Sequence, residues 1–533
     1  MEKIRKFVDE HKEFCTITGL CILFYFIFFH NIGNYALMDV DETRYVSMAR
    51  DMFNTKDFMT LYLNGEYFFE KPPLYFWGEC LFFGLFGKVT EFTARFPVAL
   101  YGALTSFLVY FTGRKIVSRK FAVLSSLILA TSLEFGILAK FAILDIVVST
   151  IIGFSLCFGF LTFFVEERNK KYFWWLFYIF SALAVMAKGI PGFVVPFGTM
   201  FFTSIAAKKF KEIFKPVYTI PGVILFLLIV LPWHILMFNL HDPLFYNEYI
   251  VKHHLDRFFN STQVGREQPF WFYFITLIWG LFPWIGSFLI ALISKFKAIK
   301  IYVFEELNNE QKLLYLSGIA FLFTLLFFSS SSTKLITYIL PIFVPVAFIG
   351  GYIWNHYDRE YDLFAFIFGG MFIFAAVSAM FTQFYLPAQL YSDILSAKWL
   401  CIILLGVAGI LSIVFAKKEK TYGIFAVYVG LMLCLSAFGT KEFYNIDYKF
   451  GQNDLIEFAQ YAKEHNNSLG GVEVSRKYSL LYYYGGKVNY IDHMEDFDKI
   501  NSNELIIVKT KNLKEVKIPY EVVKTGRRYS LIK

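Results

Sequence analysis

Runs of about 20 apolar residues recur along almost the whole chain, broken only by short polar turns. They lie at roughly 14–31, 95–113, 120–138, 145–165, 172–187, 190–207, 217–238, 270–293, 312–329, 334–354, 361–383, 397–416 and 421–439. Each is long enough to cross a bilayer core of about 30 Å. Segments of about ten residues with alternating polarity, the signature of a membrane β-barrel, are absent. The pattern predicts a polytopic α-helical membrane protein with about thirteen transmembrane helices.

Two regions depart from it. In the first loop, Val40–Phe53 has helical amphipathic spacing, with Tyr45, Met48, Ala49, Met52 and Phe53 on one face and Arg44, Arg50 and Asp51 expected toward water. After residue 440, Gln452–Asn466 places Leu455, Phe458, Ala459 and Ala462 on one helical face. Short strands are expected at Gly471–Val474, Val488–Ile491 and Glu504–Val508, with a last pair near Tyr520–Val523 and Tyr529–Ile532. The chain therefore divides into a transmembrane domain, 1–440, and a small α/β domain, 441–533.

Composition agrees: 57% of the 533 residues are hydrophobic and 18% charged, against about 25% charged in soluble domains. The net charge of +8 sits in alternate loops, such as Arg114/Lys115/Arg119/Lys120, Lys208/Lys209/Lys211/Lys215 and Lys417/Lys418/Lys420. That distribution orients helices by the positive-inside rule and argues against nucleic-acid binding. It predicts a cytoplasmic N-terminus, a retained first helix and an extracytoplasmic C-terminal domain. The six cysteines show no metal-ligand spacing and are expected to be small core hydrophobes.

In this topology every unusual polar cluster faces outward. Asp41 and Glu42 open the amphipathic helix. Asp39 is the expected N-cap with Glu42 its capping-box partner, and Arg44 lies one turn from Asp41, placed to hold it ionised as a base. Glu70-Lys71-Pro72-Pro73 fixes a lysine beside the membrane, where it could snorkel to headgroups or bind a lipid-linked phosphate. Asp145 opens the fourth span, as a helix cap or an intramembrane functional acid. Lys188 stands at the break before Gly189, and Lys334 and Tyr338 follow a serine run, Ser329–Ser332. The 239–269 loop adds His253, His254, Asp256, Arg257 and Arg266, and Glu70 with His254 could form part of a divalent-metal site.

DETRY (Asp41–Tyr45), FEKPPLYFW (Phe69–Trp77), Arg95-Phe96-Pro97, KFAILD (Lys140–Asp145), KGIPG (Lys188–Gly192), HLDRF (His254–Phe258), FPW (Phe282–Trp284) and KLITYILP (Lys334–Pro341) occur in this order. Together they resemble the ArnT family of aminoarabinose transferases and related protein-mannosyltransferase-like enzymes of the GT-C fold. The resemblance implies sugar transfer from a polyprenyl-phosphate donor to an acceptor outside the bacterial cytoplasmic membrane. The acceptor implied is lipid A or a related glycolipid, with transfer to protein Ser/Thr as the alternative. By the same analogy Asp41, Asp145 and Lys71 are catalytic. Lys71, Arg257 and Tyr338, joined by Lys334, Arg44 and Lys188, hold the donor phosphate. Glu70 and His254 are the metal candidates, for zinc, magnesium or manganese; this sequence has Arg266 where relatives can carry a histidine, which leaves that set incomplete.

A polytopic lipid or sugar transporter is the reading from another class. It would put ionisable residues near the bilayer midplane and show symmetry between halves, whereas here the clusters lie at span edges and no repeat is visible.

Overall fold

The computed structural model describes residues 10–256, 267–296, 304–357, 360–384, 386, 388–439, 441–442, 452–474, 477–495, 504–516 and 519–533, and the statements below concern these. All thirteen apolar stretches are helical. Among the described residues, nine helices are long and apolar enough to cross a membrane: Lys12–Phe29, Glu91–Ile116, Leu144–Leu161, Pro216–His241, Asn309–Ser330, Ile336–Asn355, Asp362–Met380, Leu395–Lys417 and Thr421–Gly439. The other four stretches fall short for local reasons. The 120–138 stretch splits into Arg119–Ala130 and Leu133–Leu138, where Thr131 and Ser132 turn their hydroxyls back to the carbonyls of Leu127 and Ile128. The 270–293 stretch splits into Phe272–Gly280 and Ile285–Phe296 around Pro283, which lacks the N–H a continuous helix needs. Glu167–Lys188 starts with a charged turn, and Ile190–Ala206 has 17 residues.

Small residues set the closest helix approaches. A Cβ on Gly192 would lie 2.3 Å from the carbonyl carbon of Ala184, so only glycine lets Ile190–Ala206 fold back on Glu167–Lys188. Gly189, with φ +75°, makes the turn between them. Pro216–His241 shows most of its apolar side chains outward, Leu228 at 66% and Ile220 at 58% exposure, as a lipid-facing helix does.

The amphipathic helix runs Asp41–Thr55. Its apolar face packs on the helix Leu74–Phe86, with the rings of Tyr45 and Tyr75 5.7 Å apart and those of Phe53 and Phe83 6.0 Å apart. Between them lies a hairpin of β1 (Tyr62–Leu63) and β2 (Glu66–Tyr67). The opposite face is not solvated as expected. Arg50 donates to the carbonyls of Leu481 (3.3 Å) and Tyr482 (2.8 Å) and covers the Tyr482 ring, because the C-terminal domain sits there.

That domain is a five-stranded mixed sheet, order β4-β3-β5-β7-β6. β3 (Leu469–Val472) pairs in parallel with β4 (Val488–Ile491) and β5 (Leu505–Lys509); β7 (Tyr529–Ile532) runs antiparallel to β5 and to β6 (Val522–Thr525). The helix Asn453–Glu464 buries Leu455, Phe458, Ala459 and Ala462 against Leu469, Ile507 and Leu531. β3 begins two residues ahead of the expected Gly471 because Leu469 and Gly470 join the ladder. The short helix Ser479–Tyr484 makes the β3–β4 crossover.

Candidate active site

The first link in the site is a fully buried ion pair. Arg95 lies in the helix Glu91–Ile116 with no solvent exposure, and Glu42 is 2% exposed. Arg95 Nε and Nη2 donate to Glu42 Oε1 and Oε2 at 2.8 and 2.7 Å, a bidentate fork. The same carboxylate accepts the N–H of Ala142 (2.7 Å) and of Met38 (2.9 Å). Arg95 also donates to the carbonyls of Ile32, Tyr35 and Ala36. Glu42 is thus not a capping-box partner. It fastens the residue next to Asp41 to the segment three residues before Asp145. The available sequence signal was an arginine inside an otherwise apolar span.

Asp39 does not cap its own helix either. Its carboxylate accepts the backbone N–H (2.7 Å) and hydroxyl (2.6 Å) of Ser479 in the C-terminal domain, besides the Thr43 hydroxyl at 2.7 Å. Burial pushes its pKa above the usual carboxylate value, and the Ser479 and Thr43 hydrogen bonds only partly offset this.

Asp41 stands at the helix start with its side chain 50% exposed, paired to Arg44 at 2.8 Å. Arg44 also donates to the Tyr45 hydroxyl at 3.1 Å. Burial opposes the charge on Arg44; Tyr45, Glu70 and Asp41 outweigh it, so the guanidinium is held above its ordinary pKa. Tyr45 is pushed up by burial and lies within electrostatic reach of Arg44, Asp41, Asp145 and Glu70. One phenol therefore marks where these four groups converge.

Asp145 is held on both oxygens. Lys188 pairs with Oδ1 and Thr337 donates to Oδ2 at 2.5 Å. The Lys188 ammonium lies 3.9 Å from the centre of the Tyr338 ring, and the buried Lys71 is within electrostatic reach of Asp145. Helix starts, helix ends and the 331–337 turn thus meet at one end of the bundle. Asp145 is neutralised in place, whereas Asp41 is open to an incoming molecule. Thr337 is a residue the sequence reading passed over, since a threonine hydroxyl has no distinguishing spacing.

The remaining candidates fall elsewhere or outside the description. Lys334 spends its ammonium on the carbonyls of Gln268 (2.9 Å) and Ser331 (2.5 Å). Arg257, Arg266 and the side chain of His254 lie outside the described residues. The histidine near Glu70 is His253, 4.0 Å from its Oε1 and 3.6 Å from Glu248 Oε2, an oxygen that Lys252 also engages at 2.9 Å. Among the described residues no three His, Cys, Asp or Glu side chains gather to hold a metal. Lys140 lies buried behind Asp145, donating to the carbonyls of Ser436 (2.6 Å) and His30 (3.2 Å); burial lowers its pKa to about 7.

The sequence profile of the dolichyl-phosphate-mannose-protein mannosyltransferase family matches residues 13–243. An uncharacterised protein of Aquifex aeolicus is 31% identical over 324 residues, covering 61% of this chain and 60% of the relative. An undecaprenyl phosphate-alpha-4-amino-4-deoxy-L-arabinose arabinosyl transferase of Yersinia enterocolitica is 28% identical over 334 residues, covering 62% and 57%. The matches thus span about three fifths of these relatives. The crystal structure of ArnT from Cupriavidus metallidurans bound to undecaprenyl phosphate superposes with a TM-score of 0.81 over 97% of both chains, at 18% identity. At that identity the likeness is one of fold.

Proposed function

From the premise that this chain is an ArnT-like membrane protein of the GT-C fold, we propose that it moves a sugar from a polyprenyl-phosphate donor to an acceptor at the outer membrane face. The observation that carries the reading is the meeting of an accessible carboxylate, Asp41, with a cluster of cations at one end of the helices. A transporter needs no open base set beside cations of this kind.

In the transfer, an acceptor oxygen attacks the anomeric carbon, the carbon–oxygen bond to the phosphate breaks, and polyprenyl phosphate leaves with the bonding pair. Negative charge grows on the leaving phosphate. Lys71 and Lys188, held among buried groups, stabilise that charge more in the transition state than in the ground state. Asp145 and Thr337 aim Lys188, and Tyr338 packs on its ammonium. Asp41 takes the proton if the acceptor is a hydroxyl and orients the acceptor if it is a phosphate oxygen. For the finer substrate, the names of the arabinosyl transferases favour undecaprenyl-phosphate aminoarabinose as donor; lipid A or a related glycolipid as acceptor rests on the family resemblance of the sequence motifs. The cell location that follows is the bacterial cytoplasmic membrane, with the C-terminal domain outside.

The test is incubation of purified protein with radiolabelled undecaprenyl-phosphate aminoarabinose and lipid A. Appearance of undecaprenyl phosphate and labelled lipid A in equal amounts supports the reading. Label carried across vesicles with the donor chemically intact would favour a transporter instead.

A further inference from the structure

We propose that Gln452 and Ser479, both in the C-terminal domain, are positioning residues for Asp41; this rests on the transferase reading and deepens it. Asp41 follows a three-residue segment, Leu37-Met38-Asp39, that the C-terminal domain holds from several directions. The Gln452 side chain, in a residue 1% exposed, grips the backbone on both sides of Met38. Its Nε2 donates to the Leu37 carbonyl at 2.5 Å and its Oε1 accepts the Asp39 N–H at 3.0 Å. Ser479 gives its N–H and its hydroxyl to the two oxygens of Asp39. The Leu37 N–H donates to the Tyr483 hydroxyl at 2.8 Å.

These bonds read backbone and a buried carboxylate, so they specify the path of the segment rather than merely gluing two surfaces. A second set docks the same domain without touching that segment. Asn64 donates from Nδ2 to the Val488 carbonyl at 2.8 Å and accepts the Val488 N–H at 2.9 Å. The two sets therefore separate docking from positioning. Without Gln452, the buried Leu37 carbonyl and the half-buried Asp39 N–H, four and two residues ahead of Asp41, lose their partners, which costs more than an exposed bond. The segment then re-forms its bonds in another path and carries Asp41 with it. A shift of about 1 Å in a catalytic group lowers turnover on the order of 100-fold.

The experiment uses the full-length protein, with undecaprenyl-phosphate aminoarabinose as donor and lipid A as acceptor. Gln452→Ala and Ser479→Ala are expected to lower kcat roughly 10- to 100-fold. KM for the donor should move less than about threefold, because Lys71, Lys188 and Tyr338 sit on other segments. Ser479→Thr, which keeps a hydroxyl, should recover most of the loss. Asn64→Ala should lower the unfolding temperature as much as Ser479→Ala does while leaving kcat near wild type. Unchanged kcat in both Gln452→Ala and Ser479→Ala overturns the proposal, as does an Asn64→Ala variant that loses turnover equally, since that means docking alone matters. A wild-type protein that consumes no donor takes down the transferase reading and this proposal with it; an active wild type beside unaffected Gln452→Ala and Ser479→Ala variants takes down this proposal alone.

Discussion

Consider removing the charge from Glu42. Its carboxylate collects four donors: two from Arg95 at 2.8 and 2.7 Å, and the N–H groups of Ala142 and Met38 at 2.7 and 2.9 Å. Both ion-pair partners are out of water, at 0% and 2% side-chain exposure. Breaking such a pair from one side leaves an uncompensated buried charge and costs roughly 3–5 kcal/mol. Glu42→Gln keeps the volume but loses the charge, so it should fall in that range. On the scale of about 2–4 °C per kcal/mol for domains of 150–250 residues, unfolding in detergent should move down by several degrees. Arg95→Met should do the same, and the double variant should lose clearly less than the sum of the singles, because neither charge is then stranded. Transfer activity should not recover in the double variant, since glutamine offers one acceptor oxygen where the carboxylate had two, and one of the Ala142 and Met38 bonds that tie the segment before Asp145 to the one before Asp41 stays broken. Thermal unfolding by size exclusion, with a donor-consumption assay beside it, reads both quantities. Singles that unfold at the wild-type temperature, or a double that loses the full sum, would refute the reasoning.

Other outcomes follow from the same geometry. Asp41→Asn should insert and fold normally yet lose turnover by at least about 100-fold, the lower end of the general acid–base range; wild-type-like turnover would sink the role given to Asp41. Lys71→Ala should raise donor KM and lower kcat together, measured in the same assay, because a phosphate contact acts in both states. Lys334→Met should leave donor KM within about threefold while lowering stability, as its ammonium serves two carbonyls; a large KM rise would return it to the phosphate site. Lys140 titrates near 7 in the fold and near 10.4 unfolded. Between those values the unfolded chain holds a proton that the folded chain lacks, so this group makes stability rise from pH 7 toward pH 10. Lys140→Met should flatten that slope in thermal scans.

Hydrophobic runs made the helical membrane architecture legible, because a 20-residue apolar segment has few other places to go. The amphipathic helix and the C-terminal helix were legible for the same reason: Tyr45, Met48, Leu455 and Phe458 all lie on the buried faces their spacing gave them. The polar partners were not. Asp39, Glu42 and Arg50 looked like cap, capping box and solvated charge because local rules see only neighbours within a turn. Their actual partners, Ser479, Arg95 and Tyr482, lie 440, 53 and 432 residues away. Thr337 escaped notice because only its contact with Asp145 distinguishes it.

The contact between Asp39 and Ser479 joins residues 440 positions apart, and this orders events during biosynthesis. The first loop leaves the ribosome long before Gln452 and Ser479 exist. Until the last part of the chain has been translated, Leu37, Asp39 and Arg50 lack their partners in the C-terminal domain. On the proposed transferase reading, a nascent protein that already carries Lys71 and Lys188 would therefore meet its lipid substrate before Asp41 is set. On that reading competence arrives last, as a quality check written into the chain order: a product truncated before residue 452 would occupy the membrane and stay idle.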